Sequence, residues 1–216
     1  MKHSAFIVST LIVLMARVIH VSAQAQLDPN TTIWTQVGQR INGPTFNANM
    51  SLSGDGTVIA FGGTNWTGDP GRVRVYRIDS GNWTQVGEDI IGEGDADRSG
   101  NSISLSYDGS VVAIGAPHND GNGVNSGHVR VYHNNSGAWI QVGEDIDGEA
   151  ANDEFGKSIS LSSDGSVVAV AAPLNDGSGE DSGHVRIYRN DSGTWAQVGG
   201  DIDGGFGGDL SASSIP

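Results

Sequence analysis

Apolar and polar residues alternate along most of this chain with the two-residue period of an extended strand, and the alternation comes in short bursts. Ile103 and Leu105 are interleaved with Ser102, Ser104 and Ser106. That period puts successive side chains on opposite faces of a sheet. The next burst, SVVAIGA from Ser110, is apolar on both faces, as a strand covered on both sides would be. HVRVY from His128 and WIQVG from Trp139 complete a set of four. Asp108-Gly109 joins the first pair, and that dipeptide predicts a two-residue hairpin turn with positive φ at both positions. HNNSGA, from His133 to Ala138, joins the last pair as another turn-rich loop.

The set recurs. SISLSYDGSVVAIGAPHNDGNGVNSGHVRVY from Ser102 returns at Ser158 as SISLSSDGSVVAVAAPLNDGSGEDSGHVRIY. Trp34, Trp83, Trp139 and Trp195 each open the phrase W-x-Q-V-G, at spacings of 49, 56 and 56. Four antiparallel strands per repeat, with no helical periodicity, predict an all-β fold of β-propeller blades. A solenoid or a stack of separate hairpins is the competing reading, but solenoid repeats are usually shorter. The units run approximately 34–82, 83–138 and 139–194, with a partial unit at 195–216. About three blades are expected, with an orphan N-terminal strand from Trp34 and an incomplete last blade, so the chain reads as a partial propeller. Such an arc exposes blade faces and strand edges, and self-association would complete the ring.

Lys2 and His3 precede an uncharged run, Ser4 to Ala16, and then VSAQAQ. This has the shape of a secretory signal over 1–25, cleaved after Ala23 or Ala25. The run is shorter than the roughly 20 residues a spanning helix needs. The expected mature chain is therefore secreted or held at the cell surface, without membrane insertion. It has no Cys, so packing and strand pairing must hold it together. The formal net charge is −14, and the leader contributes Lys2 and Arg17 but no acid. The mature chain is more acidic still, which excludes nucleic acid as a partner. Sequons stand at Asn30, Asn49, Asn65, Asn82, Asn134 and Asn190. Asn134 and Asn190 share one repeat position in a turn and are the two most expected to carry sugar.

Side chains that recur at a fixed interval are read as structural. His128 and His184 are copies of one position, where the first unit has Arg72, and His118 is matched by Leu174. A catalytic site needs base, nucleophile and oxyanion donors converging once, and no such set can be picked out. The repeated Trp residues read as packing between blades. Trp66, in the shortened first-unit loop, has no counterpart and is a candidate contact for a partner. Asn119-Asp120 and Asn175-Asp176 open NDG loops that would line one face of the ring, and these are candidate binding residues. Asp145, Asp147, Glu149 and Asp153 alternate around a Gly and are candidate calcium ligands, with a solvated acidic loop as the competing reading. Calcium is the one cofactor candidate.

With the strands placed, the sequence resembles the FG-GAP repeats that build the β-propeller of integrin α subunits. Phe155-Gly156 stands for the FG and Ala172-Pro173 for the end of the GAP, while Gly115-Ala116-Pro117 is the complete form. The likeness is strongest in the third unit. Ser99-Gly100 replaces FG in the second, and Phe46-Asn47 with Gly62-Gly63-Thr64 remain in the first. The resemblance implies extracellular binding or adhesion toward a protein or glycan. The family's calcium loop is not carried over, because a short Y-D-G-S or S-D-G-S turn fills its place and one carboxylate cannot supply six to eight oxygens. The expected function is thus a non-enzymatic binding module. The alternatives are an accessory propeller of a larger secreted hydrolase and a truncated, non-functional paralogue.

Overall fold

The computed structural model describes residues 36–41, 48–64, 68–208 and 213–214. The leader, Asn30, Trp34, Phe46-Asn47, Asn65 and Trp66 lie outside the described residues. Strands, and no helix, are found among those described. The first sheet holds β1 (Ala48–Leu52), β2 (Val58–Gly63), β3 (Arg72–Asp79), β4 (Asn82–Gln85) and the short β5 (Ile90–Ile91). The second holds β6 (Ser102–Leu105), β7 (Val111–Ala116), β8 (His128–Asn135), β9 (Ala138–Gln141) and β10 (Ile146–Asp147). The third holds β11 (Ser158–Leu161), β12 (Val167–Ala172), β13 (His184–Asp191), β14 (Thr194–Gln197) and β15 (Ile202–Asp203).

Every pairing within a sheet is antiparallel, and the first four strands of each sheet are neighbours in chain order. The expected fourth strand is present but broken. β4 pairs with Tyr76–Asp79, β5 pairs with Arg72–Val73 on the same edge of β3, and Val86–Asp89 bulges between them. The three sheets are propeller blades set side by side in an open arc. Each described Trp lies in the fourth strand of its sheet and reaches back to the unit before. The indole N–H groups of Trp83, Trp139 and Trp195 donate to the carbonyls of Val37, Val86 and Val142 at 3.3, 2.9 and 2.7 Å. The repeated Trp therefore does join neighbouring blades.

The core lies between sheets. Val58, Ala60, Val73, Val75 and Ile90 of the first pack on Leu105, Val112 and Ile114 of the second. Ala113, Val129, Val131 and Ile146 pack in turn on Ile159, Leu161, Val168 and Val170 of the third. Position in the arc decides the burial of equivalent residues. Ile90 and Ile146 are 8% and 4% exposed, but Ile202, the same residue of the third sheet, is 59% exposed because no sheet among the described residues covers it.

The turns depart from the sequence expectation. Two consecutive positive φ values occur at Ser80-Gly81, Ser136-Gly137 and Ser192-Gly193, between the third and fourth strands. At the Asp-Gly turns only Gly56, Gly109 and Gly165 take positive φ. The aspartate does different work there. Asp164 accepts hydrogen bonds from the Ser162 hydroxyl (2.6 Å), the Ser166 N–H (3.0 Å) and the Ser166 hydroxyl (2.8 Å), which reinforce the turn closed by the Gly165 N–H to Ser162 carbonyl bond at 2.9 Å. These bonds, Ser162's first, hold the carboxyl at about 2 instead of 3.8. The folded-state value is depressed, so its contribution to stability is present above the unfolded value and is lost as pH falls through about 2. A carbon-13 titration of Asp164 is expected to show a midpoint near 2, moving toward 3.8 in Ser162→Ala. An unshifted midpoint in the parent chain would refute this account of the turn.

Candidate functional site

The third strand of each blade carries an Arg between two apolar neighbours, in V-R-V or V-R-I. Alternation turns that Arg away from the face occupied by the valines, toward the link after the fourth strand. There it meets an aspartate fifteen residues on. Arg74 Nε lies 2.9 Å from both oxygens of Asp89. Arg130 reaches Asp145 at 2.8 and 2.7 Å, and Arg186 reaches Asp201 at 2.8 and 2.6 Å. The Gln of each W-x-Q phrase joins in, for Gln85, Gln141 and Gln197 donate to the same three aspartates. In two cases the link that follows the preceding sheet adds a glutamate. Arg130 also binds Glu93, and Arg186 also binds Glu149. An Arg standing mid-strand in an apolar alternation, with an Asp at constant spacing, was the sequence signal for this cluster, and sequence reasoning passed over it.

Charge is unevenly balanced here. The carboxylates raise the guanidinium affinities of Arg130 and Arg186 for their protons still further above the usual range. Burial pushes Asp145 up, but hydrogen bonds from Arg130 and Gln141 outweigh it and hold the carboxyl below its ordinary value. Asp147 is pushed up, first by burial and then by the charge of Asp145. His128 and His184 stand beside these groups and are driven toward the neutral form by burial, then by the adjacent Arg130 or Arg186. His128 Nδ1 lies 3.8 Å from Asp145 Oδ2. In the first unit Arg72 takes the histidine position, 3.7 Å from Asp89.

The four candidate calcium ligands do not gather into one cage. Asp145 sits on Arg130, with Asp147 beside it across from His128. Glu149 and Asp153 both accept from Asn175 Nδ2, at 2.9 and 2.8 Å, and Glu149 also meets Arg186. Asp153 is buried, and burial pushes its carboxyl up. The alternating sequence spacing fails to converge because Ile146 enters the core, the register sends Asp147 opposite His128, and Glu149 leaves for the next blade.

The NDG loops show a division of labour. Asn119 and Asn175 are 7% and 4% exposed, and their side chains are spent inside the fold. Asn119 Nδ2 donates to Asp97 at 2.9 Å, and its Oδ1 accepts from the Gly121 N–H at 2.9 Å. These two asparagines are anchors, which corrects their reading as contacts. Asp120 and Asp176 are exposed, each accepting one backbone N–H, from Asn125 and Asp181. The loop also binds the next inter-blade link, through Asn152 N–H to Val124 carbonyl at 2.7 Å and Glu154 N–H to Asn125 carbonyl at 3.1 Å. The sequon pair is likewise corrected. The amide nitrogens of Asn134 and Asn190, where sugar would attach, are buried in the hairpin, whereas Asn49 and Asn82 are exposed.

Residues 146–188, the third unit, match the FG-GAP repeat family. No curated protein matches the chain. Among solved structures, it is similar to a putative 6-phosphogluconolactonase from Bacteroides uniformis, at 15% identity and a TM-score of 0.54, over 81% of this chain and 46% of that one. It is also similar to the periplasmic gluconolactonase of Pseudomonas aeruginosa, at 18% identity and a TM-score of 0.49, over 77% of this chain and 42% of that one. This chain thus spans less than half the length of either, and the likeness is one of fold.

Proposed function

We propose that this chain, which carries an FG-GAP repeat within an arc of propeller blades, is a secreted or cell-surface binding module with no catalysis of its own. The observation that carries the reading is the build of the loops after β7 and β12. Their bases are the same, with Asn119 and Ser126 in one and Asn175 and Ser182 in the other, all buried. Their tips differ, reading GNGVN from Gly121 and GSGED from Gly177. Val124 is 61% exposed at one tip, and Glu180 is exposed at the other. A scaffold that keeps the anchor and varies the tip presents different chemistry at fixed spacing, which suits recognition. The leader-like N-terminal residues and the acidic surface suit an extracellular protein or glycan as partner.

The test is binding of the mature chain to panels of immobilised glycans and extracellular matrix proteins. The comparison variant exchanges Asn122–Asn125 for the Ser178–Asp181 sequence, leaving both anchors in place. Binding that falls at least tenfold in the exchange supports the reading. No binding by a folded chain, or binding indifferent to the exchange, overturns it.

A further inference from the structure

We propose that Glu149, His184 and Asp201 form a binding site for a divalent first-row transition ion, of the zinc class, at the boundary between the second and third sheets. One ligand atom from each lies within 4.8 Å of the others, and Glu93, His128 and Asp145 make the same group one blade earlier. The independent observation is His184 itself. It is 1% exposed, and neither ring nitrogen has a hydrogen-bond partner. A buried polar group left without a partner is costly, and buried side-chain polar atoms in native proteins are largely satisfied. An ion between the imidazole and the two carboxylates would satisfy it.

The repeats supply an internal control. The position of His184 and His128 is Arg72 in the first unit. The position of Asp203 and Asp147 is Ile91, and that of Glu149 and Glu93 is Pro44. The imidazole, the extra aspartate and the glutamate are therefore lost together. Where they are lost, the chain places its own cation, Arg72, 3.7 Å from Asp89. Where they are kept, one Arg faces a surplus of carboxylates. Around His184 these are Glu149, Asp201 and Asp203, with Arg186 the facing cation. A divalent ion would supply positive charge to balance them.

Ligand chemistry selects the class. Imidazole with carboxylates suits zinc, nickel or copper, whereas calcium takes six to eight oxygens and no nitrogen. Arg186 is compatible with the ion, because a carboxylate has about four lone-pair positions and the guanidinium uses some of them. Hydrogen-bonded support of this kind commonly orients metal-binding carboxylates.

The experiment is calorimetric titration of the chelator-treated full chain with zinc, and separately with calcium. Saturable zinc binding is expected, with His184→Leu removing one class of site and His128→Leu the other. A second readout is thermal melting. Zinc should raise the melting temperature of the parent, and the increment should shrink in each variant. If the leucine variants fail to fold, the nitrogen-15 shifts of the His184 ring in the parent replace them, and a large displacement on zinc addition supports the site. No saturable zinc binding by a folded chain overturns the proposal. So does zinc binding that leaves the His184 ring unshifted or survives both substitutions. Equal saturable binding of calcium would also overturn it.

Discussion

Replacing Phe155 by alanine should destabilise the folded chain by about 3–5 kcal/mol, the range for truncating a buried aromatic. The ring is 0% exposed and lies among Val129, Val131, Ile146, Ile159 and Leu161, between the second and third sheets. Its centroid stands 6.1 Å from that of Tyr188 at 83°, an edge-to-face contact that adds to the burial. The backbone at this position does not depend on the ring. Ser99 occupies the same place one unit earlier and makes the same parallel bridge, to Gly71, that Phe155 makes to Gly127. The loss should therefore come from packing alone. Phe155→Leu, which retains most of the volume, should cost much less. The check is equilibrium urea unfolding of the parent and both variants. A loss below about 1 kcal/mol for the alanine variant would show that the third blade adds little to the core.

The second large effect is expected from Gly127→Ala. Gly127 has a φ of 78°, and a Cβ there would lie 2.1 Å from the Phe155 carbonyl oxygen and 2.7 Å from its nitrogen. Both obstacles are backbone, so no side chain can swing aside. The residue is also fixed on both sides, donating to the Asn119 carbonyl and accepting from the Gly148 N–H. Left-handed strain of roughly 1–2 kcal/mol and overpacking of roughly 1–3 kcal/mol together predict a loss on the order of 3 kcal/mol or more. Gly81→Ala is the control. Its φ is 81°, but nothing lies within 4 Å of the added carbon. It should show the strain without the overlap. Equal losses for the two variants would mean that the close approach between blades contributes nothing.

Much of the fold was legible because a repeat reports its own frame. Period-two alternation placed the strands, the recurring Trp placed the blade junctions, and the duplicated text made the histidines structural in the first instance. The turns were less legible. Asp-Gly and Ser-Gly both permit a tight hairpin, and only the hydrogen bonds to Asp164 and the strand register show which one adopts it. The candidate site was less legible still. Spacing grouped Asp145, Asp147, Glu149 and Asp153 because they are near in sequence, whereas Glu149 has its partners, Asn175 and Arg186, 26 and 37 positions on, in the third sheet and its loop.

The sequence by itself determined the strands and their grouping in fours, because these rest on local periodicity and on its repetition. Only the tertiary structure decided which polar groups meet. Arg186, His184, Asp201 and Glu149 come together through the pairing of β13 with β15 and the stacking of one blade on the next. Contacts between blades join residues tens of positions apart, and no local pattern carries that information. The same stacking decides that Ile146 is buried while its copy Ile202 meets solvent.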